Sequence, residues 1–248
     1  MNEKGSIRPM VIDVLTLFPT MFHGVFDESM LKIAREKGLV EINTRDLRDW
    51  TSDRHRTADD KPYGGGPGMV MKVEPVDRAL TDLRAGCPAG ERSLVALLTP
   101  QGEKFSQSMA KRLTGERHMI LVCGHYEGFD ERIRSLVDME ISVGDYILTC
   151  GEIPAMVVCD AVARLIPGVL GDGDCLLDES FERGLLEYPQ YTRPFDYKGM
   201  KVPEVLVSGD PKKISQWRNE KALERTVSRR PDLLTGLQGA RSGGKTGN

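Results

Sequence analysis

Residues 140–171, EISVGDYILTCGEIPAMVVCDAVARLIPGVLG, constrain the fold of this chain more than any other stretch. A short apolar strand breaks into a turn at Gly144-Asp145, and a second turn follows at Cys150-Gly151. A helix is then predicted to open with Pro154, because a proline just inside a helix start sacrifices no hydrogen bond. Met156, Val157, Ala161, Val162 and Leu165 carry that helix to Pro167-Gly168, where it must stop. Two glycine-bearing turns between a strand and a helix leave backbone N–H groups free to meet a ligand, so a cofactor is expected here. The plainer reading of the same residues is ordinary turn glycines beside a core helix.

The rest of the chain supplies a frame for that stretch. Residues 11–17 (VIDVLTL) are nearly all apolar, as a strand buried on both faces of a parallel sheet must be. A helix is predicted over 29–37 with Gly38 just past its end, then a strand over 39–43. Further strands are predicted at 94–98, 119–123 and 139–143, with helical segments near 106–113 and 131–136. This alternation predicts an α/β fold with a mainly parallel sheet, whose ligands sit beyond the carboxyl ends of the strands. Three loops fall at such ends: Thr99-Pro100-Gln101-Gly102, Gly124-His125-Tyr126-Glu127-Gly128, and residues 143–148. Each alone says little; three in equivalent positions predict one pocket.

A chain of 248 residues suits one full α/β domain plus a smaller one. No apolar run approaches membrane-spanning length, and the start MNEKGSIRPM has no secretory h-region. Five scattered cysteines, with no C-x-x-C pair, indicate neither a zinc site nor a disulfide framework, and the four histidines lack metal-ligand spacing. A reducing, cytoplasmic setting is expected. Net charge is −3, yet from Ser208 onward nine Lys/Arg face four Asp/Glu, leaving an acidic remainder. A basic tail of this kind is expected to meet a polyanion; the plainer reading is a solvated helical face.

Residues 45–71 form a long, highly charged stretch ending in Gly64-Gly65-Gly66-Pro67-Gly68. A Walker phosphate loop is excluded, because Gly68 is followed by Met69 and Val70 rather than Lys-Ser/Thr. An RNA-contacting or lid-type loop is expected, with Arg54 and Arg56 on phosphates, against the alternative of a mobile surface loop. Residues 171–191 read as an interdomain linker carrying the carboxylate pair Asp178 and Glu179. Ser208-Gly209-Asp210-Pro211 then predicts a helix with Asp210 as N-cap and Pro211 at its first position, ended by Pro231. Residues 242–248 are expected to be disordered.

Taken together, PYGGGPGMVM, LTPQG, CGHYEGFDERI, VGDYILTCGEIPAM, ARLIPGVLG and LEYPQYTRP closely resemble the bacterial tRNA (guanine-N(1))-methyltransferases. The resemblance covers about residues 10 to 235, in the family's order. It implies a SPOUT-type α/β parallel sheet with a deep trefoil knot, a topology no general rule of chain connection would select. It implies a catalytic domain over 1–171, a linker with a catalytic loop over 172–197 and a helical, basic tRNA-binding domain over 198–248. It also implies a homodimer with active sites shared between subunits, and methyl transfer from S-adenosylmethionine to N(1) of guanosine 37 of tRNA.

Residue by residue, the resemblance places the methyl donor against Leu97, Leu98, Thr99, Pro100 and Gly102, then Gly124, Tyr126 and Glu127. Val143, Gly144, Asp145, Tyr146, Ile147 and Leu148 supply a third wall, closed by Gly151 and Pro154. Asp59 and the GGGPGM segment flank the donor and guanine side. Arg164 stabilises charge on guanine O6. For the general base, the family usually shows an acidic residue before Asp-Ser-Phe, whereas this chain has Asp178-Glu179-Ser180-Phe181, so Asp178 and Glu179 both stand as candidates. Cys150, where glycine is common, is expected to narrow the pocket. Lys212, Lys213, Arg218, Arg229 and Arg230 are expected to hold the anticodon arm. Magnesium is suggested by the resemblance as an aid to catalysis, although no ligand cluster appears in the sequence. Two further readings compete: an RNA-binding sensor that keeps the donor pocket without catalysis, and a knotted methyltransferase acting at another RNA position.

Overall fold

The computed structural model describes residues 8–87, 90–171 and 177–234. The chain falls into two compact units, Met1–Gly171 and Asp172–Asn248. In the first, the strands are β1 (Met10–Thr16), β2 (Val40–Asp46), the short pair β3 (Asp59–Asp60) and β4 (Val70–Met71), then β5 (Ser93–Lys104), β6 (His118–Cys123) and β7 (Met139–Ser142). Its helices are α1 (His23–Phe26), α2 (Ser29–Glu36), α3 (Val73–Ala85), α4 (Gln107–Leu113) and α5 (Glu152–Ala163). Five strands make one parallel sheet in the order β2-β1-β6-β5-β7.

The sheet is buried on both faces, and the period of two along each strand divides its side chains between two cores. Ile12, Val14, Ala96, Leu98, Met119 and Leu121 enter one core with buried residues of α2, α4 and α5. Leu15, Val95, Leu97, Ile120 and Val122 enter the other, with buried residues of α3. The helix α3 is absent from the sequence-based expectation. Its apolar residues Val76, Ala79, Leu80 and Leu83 nevertheless recur at helical spacing, and all are buried.

Where helices were predicted, their ends follow local chemistry. At the end of α2, Gly38 N–H donates to Arg35 C=O at 2.9 Å and Leu39 N–H to Ala34 C=O at 3.0 Å, a Schellman pair closed by a glycine at φ +66°. Ser106 caps α4 through Met109 N–H at 3.3 Å. The segment 131–136 is a 3-10 helix rather than an α-helix. The helix α5 begins at Glu152, two residues before Pro154, which still fits because a first-turn N–H has no partner within the helix.

The segment 45–71 is built rather than structureless. Residues Leu47–Trp50 form a 3-10 helix with Leu47 fully buried, and β3 pairs antiparallel with β4. The glycines at 64–68 form the connection between those two strands. Residues 99–102 likewise do not end a strand: β5 continues to Lys104, and this stretch is the irregularity where its pairing with β7 shifts between Leu98 and Glu103.

A buried polar row crosses four strands on the α3 side. Ser93 Oγ meets His118 Nδ1 at 2.8 Å, His118 Nε2 meets Asp13 Oδ2 at 2.8 Å, and Arg45 Nε donates to Asp13 Oδ1 at 2.8 Å. Burial alone would raise the Asp13 pKa, but the hydrogen bonds from His118 and Arg45 outweigh it and hold the carboxyl below its ordinary value.

The second unit holds the hairpin β8 (Asp196–Tyr197) and β9 (Met200–Lys201), and the helix α6 (Pro211–Arg229). Asp210 caps α6 through Lys212 N–H at 3.0 Å and Lys213 N–H at 3.3 Å, with Pro211 next, as the sequence predicts. Residues 242–248, expected to be disordered, and Cys175 lie outside the described residues.

Candidate functional site

The order β6-β5-β7 decides where a site can form. From the end of β6 the chain skips past β5 to the sheet edge, makes β7, and must then come back to start α5. Its return brings Gly151 against Gly124, just past the end of β6, where Gly151 N–H donates to Gly124 C=O at 2.7 Å. A Cβ on Gly151 would lie 2.4 Å from Gly124 N, so only glycine permits this approach. Between the two glycines and the irregular part of β5 opens a cavity of about 540 Å³ at the carboxyl ends of the strands. That volume lies within the range of small-molecule and cofactor sites.

Of the residues singled out from sequence, Leu98, Thr99, Pro100, Gly124, Tyr126, Glu127, Val143, Gly144, Tyr146, Ile147, Leu148, Gly151 and Pro154 line this cavity. Leu97, Gly102 and Asp145 do not. Leu97 is fully buried in the α3-side core. Gly102 is packed into the sheet, where a Cβ would meet Ile141 N at 2.4 Å. Asp145 faces outward, 3.4 Å from Lys104 Nζ. Cys150 lines the cavity too.

The 124–128 loop predicted to reach the pocket also brings His125 to it, and the 3-10 helix adds walls not expected from the sequence. His125 lies between two aromatic rings, 4.9 Å from Phe18 and 4.9 Å from Tyr126, and its buried Nδ1 has no partner among the described residues. Glu131 and Arg134 reach in from the 3-10 helix, paired at 3.0 Å, and Arg134 also pairs with Glu140 and donates to Gln101 Oε1 at 2.7 Å. Their spacing of three on a charged segment directly after a glycine loop was the available signal. Glu152, only 1% exposed, accepts from Thr16 Oγ1 at 2.6 Å and so ties the first turn of α5 to the end of β1.

The hairpin that carries the glycine run supports the cavity from behind. Glu127 N–H donates to Met69 C=O at 3.0 Å and Met71 N–H to Gly128 C=O at 3.0 Å. Gly68, at φ +84°, sits where a Cβ would fall 2.2 Å from Glu127 Cγ. Asp59, on β3, accepts from the Tyr126 hydroxyl; partial burial first, and then this carboxylate, raise the tyrosine pKa. Arg56 is committed to an ion pair with Asp49, whereas Arg54 is exposed.

The three residues given catalytic roles lie elsewhere in the chain. Arg164 is the C-cap of α5, whose first turn lines the cavity through Pro154. At 1.5 Å rise per residue the two ends are roughly 15 Å apart along the axis. Asp178 and Glu179 belong to the second unit, where Asp178 pairs with Arg183 at 2.8 Å. On α6, Arg218 lies 4.8 Å over the Tyr188 ring, and Arg230 holds Asp232 at 2.7 Å while facing the Phe181 ring. Lys212 and Arg229 have no carboxylate partner among the described residues.

The cavity offers apolar surface, backbone groups and charged side chains of both signs. Its lining mixes apolar Leu98, Ile141, Leu148 and Pro154 with backbone at four glycines and the carboxylates of Glu127 and Glu131. For a metal the fit fails: among the described residues no three His, Cys, Asp or Glu side chains converge.

Comparison with known proteins agrees in extent and kind. A family model described as tRNA (guanine-1)-methyltransferase TrmD matches residues 10–236. The tRNA (guanine-N(1)-)-methyltransferase of Dictyoglomus turgidum is 57% identical over 223 residues, covering 90% of this chain and 89% of that protein. Those of Moorella thermoacetica and Geobacillus kaustophilus are 56% and 55% identical over 226 residues, covering 91% of this chain and 90% and 91% of those proteins. From the site and from these relatives, the chain belongs to the tRNA (guanine-1)-methyltransferase family.

Proposed function

We propose that this protein transfers a methyl group from S-adenosylmethionine to N(1) of a guanine in tRNA, at guanosine 37. The observation that carries the reading is the cavity in which three loop segments converge at the strand ends, in a chain of this family. The return of the chain from β7 across to Gly124 also supports the knotted SPOUT topology.

When bound, the donor's sulfonium supplies a methyl group that is already electrophilic. The protein's share is to position the guanine and activate it. The apolar lining holds the donor away from water, and Glu127 offers negative charge toward a cationic centre. Guanine N(1) carries a proton at neutral pH, so a carboxylate of the Asp178-Glu179 pair takes that proton as general base. Charge then builds on O6, where an arginine stabilises it.

That arginine is Arg164 of the partner subunit in a homodimer. Two observations support a dimer. Arg164 stands at the far end of α5 from the cavity of its own chain. The same helix is apolar nearly all round, yet leaves Ile153 at 42% and Val157 at 45% exposure, as a helix buried by a partner would. Among the described residues no three metal-ligating side chains converge to hold magnesium.

The test is to incubate the protein with S-adenosylmethionine and an unmodified tRNA transcript carrying guanosines at positions 36 and 37. Mass spectrometry of nuclease digests should find 1-methylguanosine at position 37. Tight donor binding without any methylated product would favour a sensor instead.

A further inference from the structure

The segment that carries the two candidate bases does not stand free of the basic helix: it runs antiparallel along α6 and is fastened to it. Phe181 packs under the Arg230 guanidinium, 5.8 Å from ring centroid to Cζ. Leu186 N–H donates to Thr226 Oγ1 at 2.9 Å. Glu187 C=O accepts from Arg225 Nη1 at 3.1 Å. Further on, Tyr191 faces Trp217 at 6.3 Å. As the segment number rises from 181 to 191, the partner number falls from 230, the C-cap of α6, to 217 within it.

Thr226 is the one fully buried member of this set, and its hydroxyl is used twice. It donates to Ala222 C=O within the helix at 2.7 Å and accepts from the Leu186 amide. A threonine inside a helix commonly spends its hydroxyl on the carbonyl four residues back; the second bond, to another segment, is the addition here. The carboxylates lie at the end of a closed turn anchored by this clasp. Phe181, at φ +76°, donates its N–H to Leu185 C=O at 2.8 Å, and Glu187 N–H donates to Ser180 Oγ at 3.0 Å. The turn from 180 to 187 is thus cross-linked twice, and the clasp fixes its far limb.

We infer that Thr226 is a positioning residue for methyl transfer: its hydroxyl holds to α6 the turn that directly follows Asp178 and Glu179, so that the helix proposed to meet tRNA also sets where the base stands. This inference rests on the function proposed above. Removing the hydroxyl leaves a part-buried N–H without its acceptor and frees the turn to leave the helix.

Thr226→Val keeps the side-chain shape and removes the hydroxyl; Thr226→Ser keeps the hydroxyl. Single-turnover methylation at saturating donor and tRNA should fall about tenfold in Thr226→Val, the factor for about 1.4 kcal/mol of lost hydrogen bonding. The KM for the donor should stay unchanged, and Thr226→Ser should restore the rate. Hydrogen exchange at the Leu186 amide should accelerate in step. Arg225→Met, which removes the neighbouring bond from the helix surface, should act in the same direction and provides the test if Thr226→Val does not fold. Ala222→Gly loosens the same helix turn while leaving the hydroxyl in place, and should keep the Leu186 amide protected and the wild-type rate. A Thr226→Val protein with fast Leu186 exchange and a wild-type rate would overturn the inference while leaving the function intact. So would rate losses in Thr226→Val and Ala222→Gly that track only their melting temperatures. A wild-type protein that makes no 1-methylguanosine overturns both, and places the fault in the functional reading.

Discussion

Gly151 and Gly124 mark the closest backbone approach in the site, and a side chain at the first would fall 2.4 Å from an amide nitrogen. Backbone cannot yield there as the end of a long side chain could. Gly151→Ala should therefore destabilise the protein by about 2 kcal/mol or more and weaken donor binding, as read by thermal melts and calorimetry. Its neighbour Cys150 borders the cavity and is partly accessible, whereas Cys123 and Cys159 are buried, and burial pushes both thiols up. Alkylation should thus modify Cys150 and spare Cys123 and Cys159 in the folded protein. Saturating S-adenosylmethionine should protect Cys150, which peptide mapping by mass spectrometry would report. Unaltered labelling with donor present would remove the donor from this cavity.

Among the elements, the strands were the most legible in the sequence. The apolar run at 11–17 and the run at 119–123 lie within a residue of β1 and β6, because a strand buried on both faces carries few polar residues to blur its pattern. The helix α3 is less legible, because it opens only two residues after the short strand β4 and no side chain caps its start. The glycines at 64–68 suggested a loose loop; what the sequence could not display is that Met69 and Met71 bond to the 124–130 loop far along the chain. Loop convergence at the cavity was legible because it follows from strand ends, but the insertion of residues 99–102 within β5 was not, as it depends on pairing with β7. The row from Ser93 through His118 and Asp13 to Arg45 was equally hidden, being made by residues on four strands. Ser93, His118 and Asp13 match a hydrolytic triad in spacing, yet all are buried and none borders the cavity. Their role is structural, and its pH dependence has a definite sign. Asp13 has a lowered pKa in the folded state, so its contribution is present above the ordinary value of 3.8 and is lost as the pH falls below it. Urea titrations should show Asp13→Asn less stable by about 2 kcal/mol at neutral pH, with the gap to wild type closing in acid.

For the molecule as a whole, the exposed apolar residues of α5 make the assembly state a direct test of the site. Val157→Glu places a charge on that face without touching the cavity lining. It should shift the protein from dimer to monomer in sedimentation and abolish methyl transfer, while donor binding persists if the cavity is complete within one chain. A monomer that retains full transfer activity would withdraw Arg164 of the partner subunit from the proposed mechanism.

The placement of that polar row has a practical side. His118 and Ser93 open β6 and β5, whereas the cavity lies beyond the other ends of the same strands. Two members of the row, Ser93 and His118, therefore stand at the end of the sheet opposite the cavity, while Asp13 and Arg45 carry it along β1 and β2. An engineer seeking a hardier catalyst has a defined address: substitutions around the amino poles of β5 and β6 can be screened for heat tolerance alone, with turnover left as it is. An engineer seeking altered substrate choice should leave those poles untouched and vary the segments around residues 99–102, 124–128 and 143–148.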